Sequence, residues 1–331
     1  MPPFDAVLVV AFGGPHGLAD IRPFLANVLR GRRVPPARVD EVAHHYERFG
    51  GVSPLTPLTL RQADALRSQL HERGLALPVH VGMRNWHPYL ADTLADMARA
   101  GVRRAVGVIA AAHRSYSGCT QYRENVQDAR AALAARGLPD VAVWYVSDWH
   151  AHAGFVEANA DRVREALGRL PAEVQGAARI IFTAHSIPVS MAEQYPYRQQ
   201  IEASARLVMA ALSAGSRARA NPDYAVVYQS RSGRPEDPWL GPDICDYLRV
   251  KRQAGLRAAV IAPLGFLCDH IEVLYDLDVE AADVCREVGL PMVRAAAVND
   301  HPRFIDALAD AVIDTCRRYD QARPLPVTAG T

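Results

Sequence analysis

One rhythm constrains the fold of this chain more than any other feature. Continuous apolar, β-prone runs alternate with longer amphipathic stretches along almost its whole length. The apolar runs are Ala6–Phe12, Val79–Met83, Ala105–Ala111, Val141–Val146, Arg179–Ala184, Asp223–Gln229 and Ala258–Leu264. The helical stretches are Arg61–Arg73, Tyr89–Ala100, Tyr122–Ala135, Ala153–Leu170, Pro196–Ala214, Asp243–Ala254, Val273–Val288 and His301–Tyr319. A strand that is apolar at every position is buried on both faces, which is the condition of a parallel sheet covered by helices. The pattern runs twice, over residues 1–150 and 151–301. The expectation is an α/β protein with two similar doubly wound, parallel, four-stranded sheets, each with helices on both faces. No internal sequence repeat accompanies the doubling. The tail, residues 321–331, carries two prolines and a glycine and is expected to fray.

Composition narrows the function classes. The chain has 331 residues, 50% of them hydrophobic, so two domains with ordinary cores are available. A formal net charge of +1 argues against bulk nucleic-acid binding. No apolar run reaches the ~18 residues of a membrane-spanning helix. Met1-Pro2-Pro3-Phe4-Asp5 places no basic region ahead of an apolar one, so no secretory leader is expected and a cytoplasmic location is. Cys119, Cys245, Cys268, Cys285 and Cys316 are dispersed and form no Cys-x-x-Cys, a pattern of reduced thiols.

Open parallel sheets bind ligands beyond the carboxyl ends of their strands. After the first run comes Phe12-Gly13-Gly14-Pro15, a tight turn that is neither a dinucleotide fingerprint nor a P-loop. Leu29-Arg30-Gly31-Arg32-Arg33 offers clustered guanidiniums suited to carboxylates or phosphates, with a solvated basic loop as the competing reading. Tyr46 and Gly50-Gly51-Val52-Ser53-Pro54-Leu55 follow. The loop after the third run, His113 to Arg123, is dense in hydroxyls and cationic groups. After the fifth run, Thr183-Ala184-His185-Ser186-Ile187-Pro188 sets an imidazole at a strand end, where partial burial favours its neutral form. Gln229-Ser230 and Asp237-Pro238-Trp239-Leu240-Gly241-Pro242 follow the sixth run, and Trp239 offers a flat apolar wall.

The seventh run leads into Asp269–Glu280. On an α-helix Glu272, Asp276 and Glu280 fall at i, i+4 and i+8 and form one acidic row. Such a row is either a path for a cation or a solvated face. Asp278 lies off it and reads as surface.

These segments, in this order and at this spacing, resemble ferrochelatase, the enzyme that inserts ferrous iron into a porphyrin to make haem. The resemblance runs from about Val7 to Leu308. It implies a chelatase-like fold in which the porphyrin sits in a cleft between the domains and His185 and Glu272 face each other across it. It implies that the final helix, 302–320, packs against the first domain. It makes His185 and Glu272 the catalytic and metal-contacting pair. Asp276 and Glu280, on a helix with a π-type turn, become an outer route for metal or protons. The expected porphyrin contacts are Phe12, Arg30, Arg32, Tyr46, Ser53, Tyr122 and Trp239. The chemistry agrees, because metallation removes two pyrrole protons, and a neutral imidazole both accepts a proton and offers a nitrogen donor to Fe²⁺.

The short segment between Pro15 and Gly50, together with its arginines, resembles the branch acting on coproporphyrin III, with four propionates, more than the protoporphyrin IX branch, with two. Two departures from the family stand out. Phe12 occupies a position that is Tyr in some coproporphyrin enzymes, and Phe cannot ligate iron. The cysteines do not cluster as a 2Fe–2S site requires, so no cluster, and no cofactor beyond substrate Fe²⁺, is expected. Expected partners are the porphyrin and Fe²⁺, with transient contact to neighbouring haem-pathway enzymes, no nucleic acid, no transmembrane segment, and a monomeric state. A protoporphyrin IX ferrochelatase, a cobalt or nickel tetrapyrrole chelatase, a porphyrin or haem carrier, and a periplasmic-type binding protein remain open at this point.

Overall fold

A computed structural model of the chain describes residues 3–31, 34–214, 223–232 and 236–321. Among the described residues, eight strands form two four-stranded sheets. The first contains β1 (Ala6–Ala11), β2 (Val79–Met83), β3 (Arg104–Ile109) and β4 (Ala142–Tyr145). The second contains β5 (Ala178–His185), β6 (Tyr224–Gln229), β7 (Ala258–Ala262) and β8 (Met292–Arg294). The orders are β2-β1-β3-β4 and β6-β5-β7-β8, and every pairing is parallel. The two sheets therefore share one topology. In each, the strand order reverses beside the first strand, and the switch point lies between β1 and β3 or between β5 and β7.

The expected fold class is the one found, and seven of the strands lie within two residues of their expected bounds. The eighth, β8, was not among the apolar runs. It has three half-buried residues after Pro291 and, among the described residues, pairs with β7 alone, from Ala259↔Met292 to Ile261↔Arg294. An edge strand this short has no pattern of its own. Also absent from the expectation were the helices Ile21–Val28 and Pro36–Arg48 and the short helices Ala172–Gln175 and Val189–Gln194. The helix expected from Arg61 begins at Leu55, with Pro57 in its first turn, where a missing N–H breaks no helical bond.

The chain divides into two compact units. One comprises Met1–Ala110, Ser117–Ser147 and Ile305–Thr331, the other Ala111–Tyr116 and Asp148–Phe304. In the first unit β1 is buried at all six positions, as its unbroken apolar run requires. Most of the C-terminal helix, Pro302–Asp320, belongs to this unit. Arg73 reaches it with 2.6 Å ion pairs to Asp306 and Asp310, and Tyr319 packs against Phe4 at 5.0 Å. In the second unit, Ile181, Val227 and Ile261 meet Val273, Leu277, Ala281 and Val284 from the helix after β7 in one apolar cluster. Each residue of the acidic row directly precedes a member of that buried set. The fold therefore decides how much of the row reaches water.

Candidate active site

His185 is the last residue of β5, and in the sheet register it pairs with Gln229, the last residue of β6. Its side chain is half-buried. Nδ1 lies 2.5 Å from the Ser186 carbonyl. A carbonyl only accepts, so that bond assigns the proton to Nδ1 and leaves the Nε2 lone pair free. Nε2 stands 3.9 Å from Oε2 of Glu272. This is too long for a direct hydrogen bond and close enough to hold an imidazolium once the ring is protonated.

Glu272 reaches this position through local chemistry at the end of β7. Gly265 donates to the Thr183 carbonyl at 2.9 Å and passes over β5, where a Cβ would come within 2.6 Å of the Ala184 Cβ. Asp269 is then locked by Arg294 (2.7 Å), by the Asn299 amide (2.8 Å) and by the Ala297 N–H (3.1 Å). His270 caps the next helix, its Nδ1 accepting the Glu272 N–H at 3.2 Å. The pair thus forms at the switch point of the second sheet, where open parallel sheets bind ligands. Both residues belong to the same unit. They face each other across the ends of adjacent strands, which corrects the expectation that they do so across a cleft between domains.

The acidic row is unevenly exposed. Residues 271–273 and 282–287 are α-helical, but 274–281 form a π-helix. The π-type turn implied by the family resemblance is present. It bonds i to i+5 and widens the turn, and residues four apart stay on nearly the same face, close enough for Glu272 and Glu280 to act on Asp276. Glu272 and Glu280 are exposed, whereas Asp276 is 8% exposed. Asp276 accepts from the Ser230 hydroxyl and, at 3.2 Å, from the Gln229 amide. Burial pushes its pKa up to about 7, the charges of Glu272 and Glu280 add to the rise, and the two hydrogen bonds oppose it. Asp278, read as surface, is not idle. Its carboxylate takes two bonds from Arg294, at 2.6 and 2.9 Å, while the same guanidinium holds Asp269.

Trp239 is half-buried on a loop strapped behind His185. Pro188 and Trp239 form an antiparallel bridge, flanked by Val189 N–H to Pro238 O and Leu240 N–H to Ile187 O, both 3.0 Å. Ser186 Oγ donates to Leu240 O at 2.7 Å.

The remaining residues named as porphyrin contacts lie in the first unit. Phe12 follows β1, half-buried, with its ring edge-on to Phe24 at 6.2 Å. Tyr46 is buried against Phe24 at 5.6 Å. Ser53 is 2% exposed and bonded to the Pro15 carbonyl through its N–H at 2.9 Å, and its side chain fills the space above Gly14. Its surroundings are those of a loop-building residue. Arg30 is exposed and donates to Asn27 at 2.7 Å. Arg32 lies outside the described residues. Tyr122 is buried beneath a cation, Arg84, at 4.4 Å.

Sequence reasoning passed over Arg84. It directly follows β2, and the register Ala11↔Met83 sets it beside Phe12, with its guanidinium 5.9 Å from that ring. Nε is held by Asn125 Oδ1 at 2.6 Å. The available signal was its place one residue past a buried parallel strand.

Among the described residues, no group of three or more His, Cys, Asp or Glu side chains could hold a metal ion. His185 Nε2 and Glu272 Oε2 offer two donors. The five cysteines are free thiols, with Cys268, Cys285 and Cys316 buried. Among the described residues, no helix is long and apolar enough to cross a membrane.

A family model described as ferrochelatase matches residues 4–316. The chain belongs to the ferrochelatase family. Among its relatives is the coproporphyrin III ferrochelatase of Streptomyces coelicolor, 46% identical over 99% of this chain and 90% of that protein. The coproporphyrin III ferrochelatase of Mycolicibacterium smegmatis is 42% identical over 98% of this chain and 94% of that protein. The ferrochelatase of Rhodopirellula baltica is 44% identical over 94% and 86%. Among solved structures, SirB from Bacillus subtilis with Fe³⁺ covers 97% of this chain and 98% of its own at a TM-score of 0.56 and 12% identity, a likeness of fold alone.

Proposed function

We propose that this chain inserts Fe²⁺ into coproporphyrin III to form coprohaem, one step of haem synthesis. The observation that carries the site assignment is the free Nε2 lone pair of His185, 3.9 Å from Glu272 Oε2 at the switch point of the second sheet. The substrate assignment rests on relatives that span nearly the whole chain. Metallation releases two protons, one from each pyrrole N–H, as Fe²⁺ enters the ring. His185 Nε2 accepts a pyrrole proton, and its lone pair serves as a transient donor to iron. Glu272 holds the imidazolium that results. Exposed Glu280 and buried Asp276 lie along the approach of the cation and take up its shed protons.

The four propionates call for cations. We assign this task to Arg30, Arg32 and Arg84 of the first unit, where Phe12, Tyr46 and Tyr122 supply aromatic surface. Iron is substrate here. The two-donor pair suits a metal that passes through, and the enzyme works without a 2Fe–2S cluster, in the cytoplasm, as a monomer in transient contact with neighbouring haem-pathway enzymes.

The test is an anaerobic iron-insertion assay on the purified protein with coproporphyrin III and protoporphyrin IX side by side. The expected result is a clear preference in kcat/KM for coproporphyrin III. A preference for protoporphyrin IX overturns the substrate assignment, and no turnover with either makes the protein a carrier.

A further inference from the structure

The Gln229-Ser230 corner at the end of β6 is singled out by the sequence, and the chemistry above leaves it without a task. Its geometry is specific. The Gln229 main chain accepts from the Ser186 N–H at 2.8 Å, directly behind His185. Its side-chain amide donates to the Glu272 carbonyl at 3.3 Å and to Asp276 Oδ2 at 3.2 Å. One residue therefore touches the strand end that carries His185 and the helix start that carries Glu272.

The amide orientation is dictated by its surroundings. Both neighbours are acceptors, so the NH₂ faces them, and a flip would set Oε1 against a carbonyl and a carboxylate. The consequence is that Oε1 is buried without a partner in a side chain only 1% exposed. An orphaned buried oxygen costs free energy, and a residue that served packing alone could be apolar and avoid it. Ser230 adds a second oddity. Its φ is +59°, in the left-handed region that a non-glycine residue rarely adopts, and in that conformation its hydroxyl donates to Asp276.

We propose that Gln229 and Ser230 form a brace that sets the His185–Glu272 separation by gripping the first turn of the π-helix. They are positioning residues. Neither is assigned contact with porphyrin or iron, and both act through Glu272 and Asp276. The inference rests on the catalytic reading of the His185–Glu272 pair.

A double-mutant cycle separates the two. Gln229→Met keeps length and volume and removes both donors. Ser230→Gly removes the hydroxyl while keeping the left-handed backbone accessible, so it carries the same test if Gln229→Met does not fold. In the otherwise unaltered enzyme each variant is expected to lower kcat for iron insertion about tenfold or more, as displaced catalytic geometry does. KM for coproporphyrin III and the melting temperature should change little. In a Glu272→Gln background neither should cause any further loss, because residues that act as a unit are not additive. Undiminished kcat, or losses that multiply with that of Glu272→Gln, overturns the brace. If Glu272→Gln alone turns over normally, the catalytic reading itself falls.

Discussion

Gly265 lies so close to Ala184 that a Cβ at residue 265 would sit 2.6 Å from the Ala184 Cβ and 2.7 Å from its Cα. That missing methyl lets the chain leaving β7 cross the end of β5. Without the crossing Glu272 would not meet His185. Gly265→Ala should therefore damage stability and turnover together. Overpacking of this kind costs about 1–3 kcal/mol, seen as a lower melting temperature. Iron insertion should fall by more than the folded fraction explains, and loss of one without the other would contradict the account.

His185→Ala removes the proposed proton acceptor. General-base groups contribute about 10²–10⁴-fold, and kcat should fall within that range in a variant that remains folded by circular dichroism. Glu272→Gln keeps the shape and loses the charge proposed to hold the imidazolium, so it should lower kcat by less than His185→Ala. Normal turnover in folded His185→Ala would remove His185 from the mechanism.

The buried carboxyl of Asp276 makes stability pH-dependent. Its folded pKa is raised to about 7 from 3.8 in the unfolded chain. The contribution is therefore fully present below about pH 4 and is lost as pH rises through 7, with a slope of at most about 1.4 kcal/mol per pH unit for one group. Asp276→Asn removes the titration. Denaturant melts at pH 5 and pH 8 should show the variant gaining on the parent at the higher pH, and an unchanged difference would refute the assignment.

His113 works in the opposite direction. Burial, assisted by the neighbouring His150, lowers its pKa to about 3. Its neutral form is the native one, with Nε2 3.0 Å from the Ser204 hydroxyl. Its contribution is present above pH 6.5 and is lost as pH falls toward 3. His113→Gln, whose amide can replace the Nε2 donor, should shift the acid-unfolding midpoint to lower pH.

Arg84 is stacked on Tyr122 and tied to Asn125, which presents a fixed guanidinium beside Phe12. If it meets a propionate, Arg84→Met should weaken coproporphyrin III binding about tenfold, the scale of one charge-assisted hydrogen bond. Arg84→Lys should restore little, because an ammonium lacks the planar fork and stacks less well. Quenching of porphyrin fluorescence on binding measures both.

Much of this molecule was legible before any coordinates. Unbroken apolar runs mark strands buried on both faces, and such strands exist in parallel sheets and little else, so the doubled α/β architecture follows from local pattern. His185 was legible because polarity at the end of an apolar run is a local contrast. Other features were not local. β8 is three residues long and is a strand only because β7 is there to pair with it. The acidic residues at i, i+4 and i+8 read as one row, but spacing says nothing of how deep each one lies. The π-turn, held by Ser230 and Gln229 on one side and Arg294 on the other, buries the middle member and leaves its neighbours in water. Asp278 is exposed, as read, but its bond to Arg294 was not legible because that partner lies sixteen positions away. Periodicity and composition, which depend on neighbours along the chain, determined the fold class, the strand ends and the histidine that closes β5. Which carboxylate meets that histidine, which one is buried, and which arginine rests on an aromatic ring were decided by tertiary structure, because burial and hydrogen bonding are set by groups that come together only once the sheets form.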